Sequence, residues 1–176
     1  RWVELRDARF LQPALSPYLP DAQVVLDEVF GDVRLHSELA VTPMQGEWGP
    51  FDACMTGSGF QLRSGLGLPS GGTSAGGCPE FGEVQLVPVG ERTIVHGVAT
   101  PSTERVQVVL ASGEVHEPEL QGDAWQLYAT EVAGVGAVVE VRAIAADGSV
   151  IGRLGADPSQ VVGSLSTGGG RLQPPG

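Results

Sequence analysis

The sequence predicts an all-β fold: an immunoglobulin-like or related Greek-key sandwich, preceded by a Gly-rich β subdomain. Between residues 91 and 155, short runs rich in Val, Leu and Ile alternate with polar residues. The runs end at Gly, Pro or Asp, which favour turns over continued strands. Asp147-Gly148 between two such runs is a strong hairpin signal. Six or seven short strands at this spacing are typical of such a sandwich.

The N-terminal segments differ from this pattern. Residues 1–20 carry Pro13, Pro17 and Pro20, and prolines at that density favour an extended lead-in or stalk. Residues 21–41 are rich in β-branched residues around Gly31-Asp32, which favours two strands and a turn, although the spacing of Val25, Leu26, Val29 and Phe30 also allows one helical turn.

A Gly-rich β subdomain is predicted for residues 21–90, because Gly, Ser and Pro with scattered aromatics dominate after residue 42. The sandwich is predicted for residues 91–155 and a flexible tail for 156–176. Pro88 marks the strand before the sandwich as an edge strand. The expected strands of this region are centred on Val84–Val89, Thr93–Gly97, Glu104–Leu110, Glu114–Leu120, Trp125–Ala129, Val139–Ala145 and Val150–Ile151.

Composition excludes several function classes. The chain has no Lys, so a P-loop and a Schiff-base mechanism are both excluded. Its ten basic residues are scattered arginines in a chain of net charge −11, which argues against nucleic acid and anionic membranes as partners. No apolar run approaches the ~20 residues needed to span a bilayer. Because the chain opens at Arg1 rather than Met, we expect a trimmed or processed fragment, from which any export signal or anchor could have been removed.

The only two cysteines, Cys54 and Cys78, flank a Gly- and Ser-rich segment. Two cysteines around a flexible loop fit one disulfide in an exported protein. Two buried thiols or a half-built metal site are the alternatives, but zinc requires further Cys or His at ligand spacing and none lies nearby. We therefore predict a disulfide, no metal and no cofactor.

A family resemblance spans residues 46–153. It rests on Trp48, Cys54, Gly77-Cys78, His96-Gly97-Val98 with Pro101, Val106-Gln107-Val108, Gly113 and Ala146-Asp147-Gly148. The pattern resembles an extracytoplasmic module of high-GC Gram-positive bacteria, found in secreted or membrane-tethered proteins of unassigned function. The resemblance implies a compartment rather than an activity.

Four aromatic residues are candidates for a ligand platform: Trp48, Phe51, Phe60 and Phe81. In so Gly-rich a segment they are also the obvious material for a core, and the core interpretation is favoured.

Catalytic and metal patterns are weaker. Gly72-Thr73-Ser74-Ala75-Gly76 matches G-x-S-x-G, and His36, Asp52 and Ser74 follow the chain order of a chymotrypsin-like triad. Ser74 lies in a Gly-rich loop with no predicted helix after it, and the chain between His36 and Ser74 is too short for a chymotrypsin-like double barrel. A flexible loop closed by the disulfide is therefore favoured over a catalytic site. The three histidines lack ligand spacing, and the acidic residues near Asp27 lack a calcium-loop pattern.

The favoured function is a non-catalytic extracytoplasmic domain for interaction, sensing or adhesion. It would recognise a protein or a surface polymer through loops or an exposed sheet edge. A hydrolase with a site near the Cys54–Cys78 loop and a structural subunit of a surface assembly are the alternatives. The sequence does not fix the oligomeric state.

Overall fold

In a computed structural model of the chain, the described residues are 22–62, 72–78, 82–134, 137–155 and 170–171. They form strands and turns, which confirms the predicted all-β fold class. The described residues up to Cys78 form one compact unit, and those from Gly82 onward form a second. The predicted stalk and most of the predicted tail lie outside the described residues.

The first unit is one antiparallel sheet in which each strand pairs with the strand before it. Gly31 adopts a φ of +63° in the first turn, a conformation that glycine accepts at little cost. The sequence prediction of two strands around Gly31-Asp32 is therefore confirmed, with no helical turn in the described residues. The strands are β1 (Val24–Phe30), β2 (Val33–Gly46), β3 (Gly49–Leu62) and β4 (Gly72–Gly77).

Strand β4 is a correction. The flexible disulfide loop expected from the sequence covers residues 64–77, yet Gly72–Gly77 pairs with β3 from Ser58 to Ala53, and residues 64–71 lie outside the described residues. Gly has a poor intrinsic preference for strands, but backbone pairing with a long neighbouring strand and the bond at Cys78 hold the segment in place.

The second unit has two four-stranded antiparallel sheets, with orders β12-β5-β6-β9 and β11-β10-β7-β8. Side chains from both sheets form one core, centred on Val84, Val95, Val106, Tyr128 and Val141, as in a β-sandwich. The strands are β5 (Glu83–Val89), β6 (Arg92–Ala99), β7 (Arg105–Leu110), β8 (Val115–His116), β9 (Gln126–Ala133), β10 (Val138–Ile144), β11 (Val150–Leu154) and β12 (Gly170–Arg171).

Three details of the second unit differ from the sequence expectation. The strand expected at Glu114–Leu120 is reduced to Val115–His116, since Pro118 has no N–H to donate to a ladder. Glu83 and Val84 of β5 pair with β12 as well as with β6, so β5 is not an edge strand along its whole length. Strand β12 itself was not expected, because its segment of the sequence shows no periodicity.

Gly97 on β6 allows a close approach between strands. The Tyr128 hydroxyl donates a hydrogen bond to the Glu83 carbonyl, with the oxygens 3.1 Å apart. A Cβ at position 97 would lie 1.9 Å from that same carbonyl oxygen. Glycine is therefore required here for the tyrosine to bind the backbone of β5.

Candidate functional site

Strands β2 and β3 extend beyond their neighbours as a two-stranded arm, which we define as residues 42–53. On one side, β1 pairs with β2 only as far as Leu39, and the Gln23 side chain adds one more pairing by bonding both the N–H and the carbonyl of Val41. On the other side, β4 pairs with β3 as far as Ala53. The arm therefore projects about five residues, or roughly 17 Å, beyond the four-stranded part of the sheet.

A two-residue loop, Glu47-Trp48, closes the tip of the arm between the paired residues Gly46 and Gly49. Gly49 has a φ of +112°, which side-chain-bearing residues rarely adopt. The loop directs Trp48 into solvent, and 96% of this residue is exposed.

One face of the arm is apolar. Paired residues in an antiparallel sheet share a face, and Thr42 pairs with Ala53 while Met44 pairs with Phe51. Met55 continues the same face at the base. Met44 and Phe51 are each 47% exposed and Met55 is 42% exposed. Thr42 is the only side chain among these five that can hydrogen-bond.

Phe51 lies over Gly46, across the ladder. A Cβ added at Gly46 would lie 3.0 Å from the Phe51 ring. The ring can therefore occupy this position because residue 46 has no side chain. Aromatic rings that cover a cross-strand glycine stabilise strand pairs that would otherwise lack a partner side chain. The ring is therefore held in position and still presents about half of its surface.

Two prolines occupy outward positions on the edges of the arm. The Asp52 carbonyl accepts a hydrogen bond from the Cys78 N–H, which shows that the backbone of residue 52 faces away from β2. Pro43, which pairs with Asp52, has the same outward orientation. So does Pro50, which lies two residues before Asp52 on β3. Neither proline has an N–H to offer, so both edges of the arm resist the addition of another strand.

The disulfide lies at the base of the arm. Cys54 and Cys78 are bonded, with Cα atoms 4.7 Å apart, as the sequence predicted. Cys54 is the residue of β3 that follows the arm directly, and the bond attaches it to the end of β4. An isolated hairpin is marginally stable in water, so this covalent attachment restrains the arm where the sheet narrows. The bond is compatible with an extracellular protein.

The charge of the arm is entirely acidic. Glu47 and Asp52 are its charged residues, and the sequence contains no Arg between Arg34 and Arg63. A basic partner surface would therefore be attracted to this end of the first unit.

A partly buried polar cluster lies on β1 and β2, in which His36 and Glu38 are buried and Asp27 is exposed. Asp27 accepts hydrogen bonds from Arg34 at 2.8 and 2.5 Å, and the Arg34 guanidinium lowers the pKa of this carboxyl. His36 Nε2 lies 2.8 Å from Glu38 Oε1, and Nδ1 lies 3.5 Å from Asp27 Oδ2. Because the two carboxylates lie on opposite ring nitrogens, they cannot share one metal ion with the imidazole. The cluster fixes β1 on β2.

The predicted catalytic order is not assembled. His36 pairs with Gly59 of β3, whereas Asp52 lies seven residues along the same strand, which is roughly 24 Å away. Ser74 lies within β4 opposite Thr56, not at a turn between a strand and a helix. The nucleophile-elbow geometry is therefore not present at this serine.

The candidate aromatics separate into two groups. Phe60 is 4% exposed and belongs to the core of the first unit, as the favoured interpretation expected. Trp48 and Phe51 contradict that interpretation, because both are exposed on the arm. Phe81 lies outside the described residues. Met44 and Met55 were missed entirely, although the turn pattern Gly46 to Gly49 pointed to a hairpin that would place them on one face.

The second unit contains a polar cleft of about 490 Å³. Carboxylates predominate among its charged groups, and Glu117 accepts hydrogen bonds from Arg105 and Gln107 at 3.3 and 2.7 Å. Its lining is Pro101, Thr103, Glu104, Arg105, Glu117, Pro118, Glu119, Leu120, Asp123 and Gln126. Neither a histidine nor a serine lines it, so the cleft does not contain a Ser–His pair for acyl transfer.

Arginines on the outer face of β10 and β11 are paired. Glu140 accepts a hydrogen bond from Arg142 Nε at 2.7 Å, and its other carboxylate oxygen lies 2.5 Å from Arg153 Nε. The carboxylate offsets much of their charge, so this face is not a ready anion site.

No family model, curated protein or solved structure matches the chain. Among the described residues, no helix is long and apolar enough to cross a membrane. The same residues contain no group of three or more His, Cys, Asp or Glu side chains suited to a metal ion. Among the large apolar side chains of the described residues, the most exposed is Trp48 on the arm, which also carries the half-exposed Met44 and Phe51.

Proposed function

We propose that this chain is a non-catalytic extracytoplasmic interaction domain and that the arm is its recognition surface. The main support for this proposal is the exposure of Trp48. This residue is 96% exposed at the tip of the arm, and Phe51 on the apolar face is about half exposed. A tryptophan buries roughly 200 Å² when covered, which at about 25 cal/mol per Å² amounts to about 5 kcal/mol. Folding leaves this surface exposed, and a partner that covers the ring gains the part of that free energy which the costs of association do not offset.

The partner class follows from the apolar face. A sugar platform combines an aromatic ring with hydrogen-bonding side chains, whereas Thr42 is the only such group beside Met44, Phe51 and Met55. Methionine and aromatic side chains are enriched where proteins bind proteins. We therefore favour a protein with an apolar groove over a surface polymer, with basic residues at the rim to meet Glu47 and Asp52.

The mode of binding is side-chain insertion. Pro43 and Pro50 remove N–H groups from the two edges of the arm, which disfavours recognition by strand addition. The disulfide and the Gln23 pairing restrain the base, so little order is lost when the tip binds. The sequence allowed recognition through loops or through an exposed sheet edge. The prolines at the edges of the arm support recognition through its loop.

The extracytoplasmic location is part of the proposal. Both cysteines of the chain are bonded to each other, and such bonds persist in oxidising compartments. The resemblance to secreted or tethered modules of high-GC Gram-positive bacteria points the same way.

An immunoglobulin-like identity for the second unit is also proposed. If β5 to β11 are lettered A, B, C, C′, E, F and G, the sheets are A-B-E and G-F-C-C′. This is the order of an immunoglobulin-related sandwich whose fourth strand joins the second sheet. Such domains serve as rigid carriers for binding loops.

The test uses the intact chain as bait on surface and culture-medium proteins of the organism that encodes it, with a photo-crosslinker beside the tip. A Trp48→Ser, Phe51→Ser double variant should reduce capture of the crosslinked protein by roughly 30-fold, since central aromatic anchors contribute 2 kcal/mol or more. Val115→Ser removes another exposed apolar side chain, from the second unit, and should leave capture unchanged.

Equal capture by the wild-type chain and the double variant would contradict the proposal. Capture only of a second copy of this chain would favour the structural-subunit alternative instead. Turnover of an ester or amide substrate that survives the double variant would favour a hydrolase.

A further inference from the structure

The two methionines of the chain both lie on the apolar face of the arm or at its base. Met44 is directly opposite Phe51, and Met55 continues the same face four residues nearer the sheet. They are 47% and 42% exposed. The chain has no other Met, so every thioether it contains is presented on this one surface.

The cysteines do not compete for oxidants. Cys54 and Cys78 are the only cysteines, and they are already joined as a disulfide. The thioethers of Met44 and Met55 are therefore the only reduced sulfur atoms in the chain. Susceptibility to oxidation follows accessibility, and both side chains are accessible.

We propose that Met44 and Met55 are oxidation sites at which a peroxide switches off the apolar face of the arm. This inference rests on the proposed function of the arm as a recognition surface. A thioether sulfur attacks one peroxide oxygen, an S–O bond forms and the O–O bond breaks. The product is methionine sulfoxide. When the oxidant is hydrogen peroxide, its second oxygen leaves as one molecule of water after proton transfer. The sulfur is oxidised by two electrons and the peroxide is reduced by two.

The two sites act separately. Met55 pairs with Ala40, which lies four residues before Met44 on β2. The two methionines are therefore roughly 13 Å apart along the strands. That distance is too long for both sulfurs to bind one soft metal ion, so a shared metal site is disfavoured. Each sulfoxide adds a strong dipole and an acceptor oxygen to its own part of the face.

The consequence for binding comes from desolvation. A partner groove that is apolar where it covers Met44 and Phe51 would offer no donor to a sulfoxide oxygen at that place, and burying an unpaired acceptor is unfavourable. Free protein tolerates the same change, because the sulfoxides remain hydrated on an exposed arm. Oxidation should therefore weaken recognition without unfolding the chain.

The first experiment needs no partner. The intact chain is treated with hydrogen peroxide, followed by intact mass and peptide mapping, with N-acetylmethionine as the reference. We expect one oxygen on each methionine, at rates within about threefold of the reference. The oxidised chain should elute earlier from a phenyl resin. A Met44→Leu, Met55→Leu variant keeps the apolar volume, should gain no oxygen and should keep its retention.

The second experiment measures capture of the crosslinked protein by the oxidised chain. Each chain is compared with its own untreated sample, so a change in the basal capture of the leucine variant does not affect the comparison. Oxidation should reduce capture by the wild type at least about fivefold and should leave capture by the Met44→Leu, Met55→Leu variant unchanged. Methionines that react more than about tenfold slower than the reference, or unchanged phenyl retention, would overturn the inference.

The two proposals fail differently. If the oxidised chain captures the protein normally while the Trp48→Ser, Phe51→Ser variant does not, the oxidation switch is wrong and the recognition surface stands. If that double variant also captures normally, the proposed function fails, and the switch that rests on it fails as well.

Discussion

Replacement of His96 by glutamine should remove a specific part of the acid sensitivity of this protein. His96 lies in the middle of β6, between Gln85 of β5 and Ala129 of β9, and it is buried. Burial penalises the charged imidazolium and lowers the pKa of His96 from 6.5 to about 4. The neutral ring is therefore the form that the folded state accommodates.

The sign of the pH effect follows from this difference. Between pH 6.5 and about pH 4 the unfolded chain binds a proton that folded His96 does not, so acid favours unfolding. The contribution to stability is complete above pH 6.5 and falls as the pH drops towards 4. At about 1.36 kcal/mol per pKa unit, the loss between pH 7.5 and pH 5.0 is about 2 kcal/mol, and it levels off near 3 kcal/mol below pH 4.

The assay is urea unfolding of the wild-type, His96→Gln and His116→Gln chains at pH 7.5 and pH 5.0. Each variant serves as its own reference, so the change in the free energy of unfolding with pH is what is compared. His96→Gln should lose about 2 kcal/mol less than the wild type over this interval. His116→Gln is the matched control, because it makes the same change at a side chain that is only partly buried on β8. An equal pH-dependent loss in wild type and His96→Gln would refute the argument.

Three other substitutions have distinct expected outcomes. Gly97→Ala should destabilise the second unit by at least about 3 kcal/mol in thermal unfolding, because its Cβ would lie 1.9 Å from the Glu83 carbonyl oxygen; a near-neutral result would contradict this. The Cys54→Ala, Cys78→Ala double variant should lose roughly 3 kcal/mol in urea unfolding, because the bond closes a separation of 24 residues, and unchanged stability would argue against it. Trp48→Ser should change the free energy of unfolding by less than about 0.5 kcal/mol, and a larger loss would mean that the ring supports the fold.

Turn chemistry is what made much of the fold predictable from the sequence. Gly31 and Gly148 adopt positive φ in the turns where the sequence placed them. Asp147 Oδ1 accepts hydrogen bonds from the N–H and the hydroxyl of Ser149, at 2.9 and 2.6 Å, which fixes that hairpin. Local residues determine such turns, so one sequence is sufficient to recognise them.

The candidate site was less accessible, because exposure is a property of the whole chain. An aromatic residue in a Gly-rich segment is core material if neighbouring strands cover it, and Phe60 is covered. Trp48 and Phe51 are not, since β1 and β4 end before the arm does. Strand β4 was missed for a related reason: its glycines acquire their conformation from pairing with β3, which is invisible to local propensity.

The two units differ in how far apart in sequence their pairing partners lie. Each strand of the first unit pairs with its predecessor, so its sheet can form progressively as the chain emerges, and Cys78 is available as soon as β4 is complete. In the second unit, β6 must wait for β9, and the hydrogen bond from Tyr128 to Glu83 spans 45 residues. Non-local pairing slows folding. We therefore expect the arm and its disulfide to form while the sandwich is still unfolded, so that the N-terminal half of this chain matures before its C-terminal half.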